Sequence, residues 1–267
     1  MSRLQVRLDA LRSAGRKALV PFVTAGDPSP EAMPAILHAL VAAGADVLEL
    51  GVPFSDPMAD GAVIQRSSER ALARGVDMAQ VFDFVQSFRQ RDDATPVVLM
   101  GYLNPVEIRG AADFAREAVA AGVDGVLLVD LPPEEAAGYR EAFDAHGLAL
   151  VALAAPTTSA ERLQRICEGA RGYLYYVSLA GVTGADVLDS GDAGRRLDWL
   201  RQACALPVMV GFGIKDAATA AAMAAHADGV VVGSALVQAL AGAANPDDAA
   251  ARATAFLAPL RAAIDAG

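Results

Sequence analysis

One pattern constrains this chain more than any other: a short apolar run, a loop and a longer helical stretch recur along its whole length. Eight segments read as strands, at residues 18–24, 46–51, 96–101, 125–129, 148–153, 173–177, 207–211 and 229–232. Most are continuously apolar, as parallel strands covered on both faces must be; half-exposed strands would alternate. The segments between them, such as 31–43, 111–121 and 216–225, place Ala, Leu, Met and charged residues at helical spacing. Three helix-to-strand junctions repeat: Ala-Ala-Gly-Ala-Asp at 42–46, Ala-Ala-Gly-Val-Asp at 120–124 and Ala-Ala-His-Ala-Asp at 224–228. In the first two, glycine stands where a helix must end and the chain must turn. The repetition predicts a single (β/α)8 barrel over residues 1–267, with an additional N-terminal helix around 3–12 and an extra C-terminal helix around 246–264. A doubly wound open sheet would need fewer strands, or a second domain behind a linker, and no linker is visible.

Composition narrows the function. The 267 residues are 54% hydrophobic and 20% charged, enough to bury a large core with no stretch reading as disordered. No apolar run is long enough to span a membrane, and the first residues do not read as a secretion signal, so a cytoplasmic location is expected. The formal charge of −10, from 32 acids against 22 Lys and Arg, opposes binding to nucleic acid or anionic membranes. Cys167 and Cys204, alone in so long a chain, read as reduced, buried and inert.

In barrels of this kind the reacting groups stand at the C-terminal ends of the strands. A Schiff-base mechanism needs a lysine there, but Lys17 precedes the first strand and Lys215 lies in a turn past the seventh. His38, His146 and His226 fall in or at the ends of helices or ahead of a strand, and no metal-binding, Walker A or dinucleotide motif occurs. No metal and no cofactor is therefore expected in this chain. Carboxylates remain. Glu49 lies near the end of the second strand among Val47, Leu48, Leu50 and Val52, which should raise its pKa toward that of a general acid/base working near neutrality. Asp60 follows in a long loop, 52–61, but Asp27, Asp56 and Asp130 also lie just past strands, and spacing alone does not rank the four. A second long loop is read at 178–194. After strands seven and eight come Gly211-Phe-Gly-Ile214 and Gly233-Ser-Ala235. Glycines admit an anion close to the backbone, and Ser234 is placed to cap a helix whose N-terminus favours negative charge. A small phosphorylated substrate follows.

Longer motifs carry a resemblance. Pro21-Phe-Val-Thr-Ala-Gly-Asp-Pro28, Glu49-Leu-Gly-Val-Pro-Phe-Ser-Asp-Pro57, Ala59-Asp-Gly61, Met100-Gly-Tyr-Leu-Asn-Pro105, Asp130-Leu-Pro-Pro133, Gly181-Val-Thr-Gly184 and Val210-Gly-Phe-Gly-Ile214 resemble, in order, the alpha subunits of tryptophan synthase. The resemblance implies retro-aldol cleavage of indole-3-glycerol phosphate to indole and glyceraldehyde 3-phosphate. It also implies a beta subunit carrying pyridoxal phosphate, in an alpha2-beta2 assembly that receives the indole. It assigns proton transfer to Glu49 and a carboxylate opposing the indole nitrogen to Asp60. Gly184, Gly213, Gly233 and Ser234 would hold phosphate; Thr183 would serve loop closure; Phe22, Leu127, Tyr175 and Phe212 would wall the pocket. Pro53, Asp56, Asn104 and Pro132 would face the partner. Leu179 and Ala180 depart from the family, where arginine and a polar residue are common, leaving the closure of that loop open. Other phosphate-binding barrels, such as sugar-phosphate epimerases, lack the run from Glu49 to Gly61.

Overall fold

A computed structural model describes residues 2–177, 190–211 and 213–267. The chain opens with α1 (Arg3–Ser13), β1 (Ala18–Thr24), α2 (Met33–Ala42) and β2 (Leu48–Gly51), followed by α3 (Ala62–Ala73) and α4 (Met78–Arg89). Next come β3 (Val97–Gly101), α5 (Asn104–Arg109), α6 (Ala111–Ala121), β4 (Gly125–Leu128) and α7 (Ala137–His146). Then follow β5 (Ala149–Leu150), β6 (Ala152–Ala154), α8 (Ala160–Gly169), β7 (Leu174–Val177) and α9 (Ser190–Ala203). Last are β8 (Val208–Gly211), α10 (Ala217–Ala224), β9 (Gly229–Val232), α11 (Ser234–Leu240) and α12 (Pro246–Asp265).

All pairings are parallel, in the order β5-β4-β3-β2-β1-β9-β8-β7-β6. The fifth expected strand is broken at Val151: β5 pairs with β4, and β6 pairs with β7. The barrel is thus closed at that seam by the chain itself, through Val151 N–H to Val126 O at 2.9 Å and Arg171 N–H to Leu150 O at 3.1 Å. Alternate residues of each strand point inward. Ala18, Val20, Val47, Val98, Leu127, Val151, Tyr173, Tyr175, Met209 and Val231 form an inner core, which Leu4, Leu8 and Leu11 of α1 close from the N-terminal end. The intervening strand residues pack outward under the helices in a larger apolar layer.

The repeated junctions have a physical use. Asp46, Asp124 and Asp228 each accept, at 2.9 Å, the N–H at the foot of a neighbouring strand, from Leu19, Val97 and Val208 respectively. Arginines neutralise them: Arg7 and Arg261 on Asp46, Arg3 and Arg89 on Asp124, Arg201 on Asp228. Gly44 and Gly122 take the left-handed conformation that the turn demands, with φ of 103° and 96°. These ion clusters all sit on the N-terminal face, away from the strand ends where chemistry is expected.

Three expectations are corrected. Cys167 on α8 and Cys204, just past α9, form a disulfide with Cα atoms 5.9 Å apart, where reduced thiols were expected. The two helices come close enough there to align residues 37 apart, a proximity that spacing in sequence does not reveal. Residues 190–194, read as the end of a long loop, already belong to α9. Ser234 does not cap α11: Gly233 takes the cap position, no side-chain cap bond forms, and Ser234 is the first helical residue.

Candidate active site

Glu49 is held by the pleat. Val47 points into the barrel, so Glu49, two residues on, points the same way, level with Phe22 of β1 and Val98 of β3. It is 0% exposed. The Tyr173 hydroxyl donates to Glu49 Oε1 at 2.5 Å, and Oε2 has no hydrogen-bond partner among the described residues. Burial pushes the carboxyl up to about 7, and the Tyr173 hydrogen bond only partly opposes this. A group so placed holds or releases a proton near neutral pH, with one oxygen still to be satisfied. Tyr173→Phe removes the interaction that stabilises the carboxylate, so the limb of the kcat/KM pH profile set by Glu49 is expected to move to higher pH. An unmoved limb would show that Tyr173 does not tune Glu49.

Asp60 stands in the loop after β2 and lines a cleft with Phe22, the residue level with Glu49 in β1. Gln65, early in α3, clamps the loop's return by donating to Asp60 O at 2.9 Å. The Tyr102 hydroxyl donates to Asp60 Oδ2 at 3.1 Å. Burial raises the Asp60 pKa, with Tyr102 acting against it. Both carboxylates, Glu49 and Asp60, raise the pKa of the buried Tyr175 phenol, in addition to the larger effect of its burial. Phe22, level with Glu49 in the adjacent β1, links the strand position of that carboxyl to the Asp60 side of the mouth. Phe22, Gly51, Met100 and Tyr102 line a cleft with Asp60.

The other loop aspartates are committed elsewhere. Asp27 forms a two-pronged ion pair with Arg70, at 2.7 and 2.8 Å. Asp130 accepts the Leu103 N–H at 2.7 Å, and Asp56 accepts from Ser55 at 2.6 Å. Only Asp60 turns its carboxylate toward the cleft through a phenol of the barrel wall.

The glycines make room for the walls. A Cβ at Gly51 would overlap the Phe22 ring, and one at Gly211 would overlap the Tyr175 hydroxyl. Gly211 and Val231 are level in adjacent strands, so Gly213 and Gly233, two residues past each, leave the barrel side by side. Gly213 has φ 72°, and nothing described stands where its Cβ would be. Gly233 packs near Phe22, whose Cδ1 would lie 3.5 Å from a Cβ there. Leu127 is fully buried in the inner core, level with Met100. Thr183, Gly184 and Phe212 lie outside the described residues, as do Leu179 and Ala180.

Around the mouth, Asp56, Asn104 and Pro132 are exposed, whereas Pro53 is buried. Two large apolar side chains are strongly exposed there: Met58 in the second loop, at 84%, and Ile108 on α5, at 77%. Sequence reading had singled out neither. It also missed Tyr173 and Tyr102; the two-residue period from Tyr175 back to Tyr173 was the available signal. Larger cavities lie elsewhere, one of about 580 Å³ at the N-terminal face between α1 and α9 and one of about 450 Å³ between Pro132 and Arg162. Neither includes Glu49 or Asp60. No group of three or more metal-ligating side chains occurs among the described residues. No described helix is long and apolar enough to cross a membrane.

Comparison with known proteins places the chain in a family. Residues 8–265 match the family described as tryptophan synthase alpha chain. Tryptophan synthase alpha chains of Xanthomonas oryzae and Xylella fastidiosa are each 65% identical over 266 residues, covering 99% or more of both chains. The crystal structure of tryptophan synthase subunit alpha from Legionella pneumophila superposes with a TM-score of 0.94 at 48% identity, covering 100% of each chain. A Mycobacterium tuberculosis tryptophan synthase structure gives 0.89 at 37% identity, covering 100% of this chain and 99% of that one. The chain belongs to the tryptophan synthase alpha chain family.

Proposed function

We propose that this chain is the lyase subunit that cleaves indole-3-glycerol phosphate to indole and glyceraldehyde 3-phosphate. The observation that carries the reading is Glu49: a wholly buried carboxyl at the end of β2, pushed up to about 7 by that burial, with one oxygen left without a partner among the described residues.

The chemistry needs no more than that. Indole C3 takes a proton, which places positive charge on the ring nitrogen. The hydroxyl on the adjacent side-chain carbon loses its proton. The bond between that carbon and C3 then breaks, its electron pair returning to the ring to restore aromatic indole, and an aldehyde remains. Glu49 moves the protons, and Asp60 opposes the charge on the nitrogen. Phe22, Leu127 and Tyr175 pack the ring. Backbone at Gly213, Gly233 and Ser234 receives the phosphate, joined by Gly184, with Thr183 closing over the site. Because Ser234 sits at the first helical position, it offers its backbone N–H, and its hydroxyl is not used as a cap of α11. A substrate lacking the phosphate should turn over with a strongly raised KM and a less affected kcat. An unchanged KM would show that the loops after β8 and β9 do not hold the phosphate.

The indole is passed to a beta subunit carrying pyridoxal phosphate, in an alpha2-beta2 assembly, with Pro53, Asp56, Asn104 and Pro132 around the contact. The exposed Met58 and Ile108 support this placement, since apolar side chains left in water at the mouth gain by being covered. Pro53, being buried, shapes the second loop beneath the contact. Ile108→Asp together with Met58→Asp should weaken beta-subunit binding by about 2 kcal/mol or more, roughly thirtyfold in Kd. Calorimetric titration giving an unchanged Kd would place the interface elsewhere.

A further inference from the structure

The second loop carries both a segment exposed at the mouth and the Asp60 carboxylate, and one side chain joins them. Tyr102 follows directly on the last residue of β3 and is only 4% exposed. Its hydroxyl makes two bonds to adjacent loop residues, accepting the Ala59 N–H at 2.9 Å and donating to Asp60 Oδ2 at 3.1 Å. Its ring stacks on Phe54, with centroids 5.0 Å apart and planes 25° from parallel. Phe54 stands between buried Pro53 and exposed Ser55 and Asp56. The base of this arrangement is fixed from the other side, because Asp130, just past β4, accepts the N–H of Leu103. Tyr102 is therefore anchored to the barrel, while everything it touches in the second loop is loop.

We propose that Tyr102 is a positioning residue that couples the Phe54 end of the second loop to the orientation of the Asp60 carboxylate. This rests on the lyase reading for its consequence in turnover, but not for its geometry. Tyr102 provides the only side-chain hydrogen bond to the Asp60 carboxylate among the described residues. A shift of Phe54, such as a protein docked at the loop tip would impose, moves the ring that Phe54 stacks on. The phenol then shortens or lengthens its bond to Asp60. An isolated wall residue would need neither the paired bonds nor the stack. Fixing a carboxylate to the geometry of the charge it must oppose has a large effect on rate, because a small misplacement weakens electrostatic stabilisation steeply. The other titratable groups acting in this corner are Tyr175, whose phenol responds to the Asp60 charge, and Asp130, whose charge acts on the Tyr102 phenol.

The test uses the full chain labelled with carboxyl-13C aspartate, the Asp60 signal being identified by its loss in Asp60→Asn. Tyr102→Phe keeps the ring, the stack and the pocket wall and removes only the hydroxyl. The Asp60 titration should move to higher pH in Tyr102→Phe. It should move the same way but less in Phe54→Leu, and no further in the double variant than in Tyr102→Phe alone, since both act through one bond. Kinetics with indole-3-glycerol phosphate should show kcat falling about tenfold or more in Tyr102→Phe with KM changing less. An Asp60 titration unmoved by Tyr102→Phe, or single-variant shifts that simply add, would overturn the coupling. A wild-type chain that releases no indole would sink the lyase reading alone, since the carboxyl titration still decides the coupling.

Discussion

Glu49→Gln is expected to lower kcat by about a hundred- to ten-thousandfold, the usual contribution of a positioned general acid/base. The same substitution should make the protein more stable in alkaline buffer. In the fold the carboxyl titrates at about 7, against an ordinary value of 4.5 in the unfolded chain. Between those values the folded state holds the proton more tightly, so stability falls as pH rises through that window. Above pH 7 the cost levels off at about 3 kcal/mol, and glutamine, never ionising, avoids it. Denaturant melts should therefore show little difference between wild type and Glu49→Gln near pH 5 and the largest gain near pH 8. A variant that is inactive but not stabilised at pH 8 would mean that Glu49 ionises easily in the fold, with no raised pKa to explain its role.

Asp60→Asn is expected to cost about a hundred- to a thousandfold in kcat, because it removes the negative charge facing the indole nitrogen while keeping the shape of the side chain. Asparagine can still accept the Tyr102 hydrogen bond, so folding stability should change little. Asp60 must be ionised to oppose the developing charge, and burial raises its pKa. Wild-type activity should thus fall as the pH drops through that raised value, and the remaining activity of Asp60→Asn should lack that acid limb. Retention of near-normal turnover, or an unchanged acid limb, would assign the limb and the charge stabilisation to another group.

Much of the fold was legible because local chemistry and global architecture agree. The run Ala18–Thr24, apolar up to its final threonine, forms the uniformly buried β1, and the 111–121 stretch forms α6 with unchanged bounds. Glu49 could be singled out because it is an acid near the end of a strand, set among Val47, Leu48, Leu50 and Val52. What sequence could not give was contact between distant segments. The bond between Tyr173 and Glu49 spans 124 positions, and the disulfide depends on how α8 lies against the chain leaving α9. Ranking Asp60 above Asp27, Asp56 and Asp130 likewise needed their partners, such as Arg70, 43 residues from Asp27. The break at Val151 escaped notice because 148–153 is uninterrupted apolar sequence; the register change lies in which neighbours it pairs with. Ser234 looked like a cap by type, but Gly233 takes the cap position, which shifts the serine one residue into the helix.

The most direct measurement is indole release from indole-3-glycerol phosphate by the purified chain, alone and with a tryptophan synthase beta subunit, with Glu49→Gln alongside. Indole and glyceraldehyde 3-phosphate formed in equal amounts, faster with the beta subunit and abolished by the substitution, is the expected result. No indole under either condition, or undiminished release by Glu49→Gln, would contradict a lyase whose proton carrier is the buried carboxyl of β2.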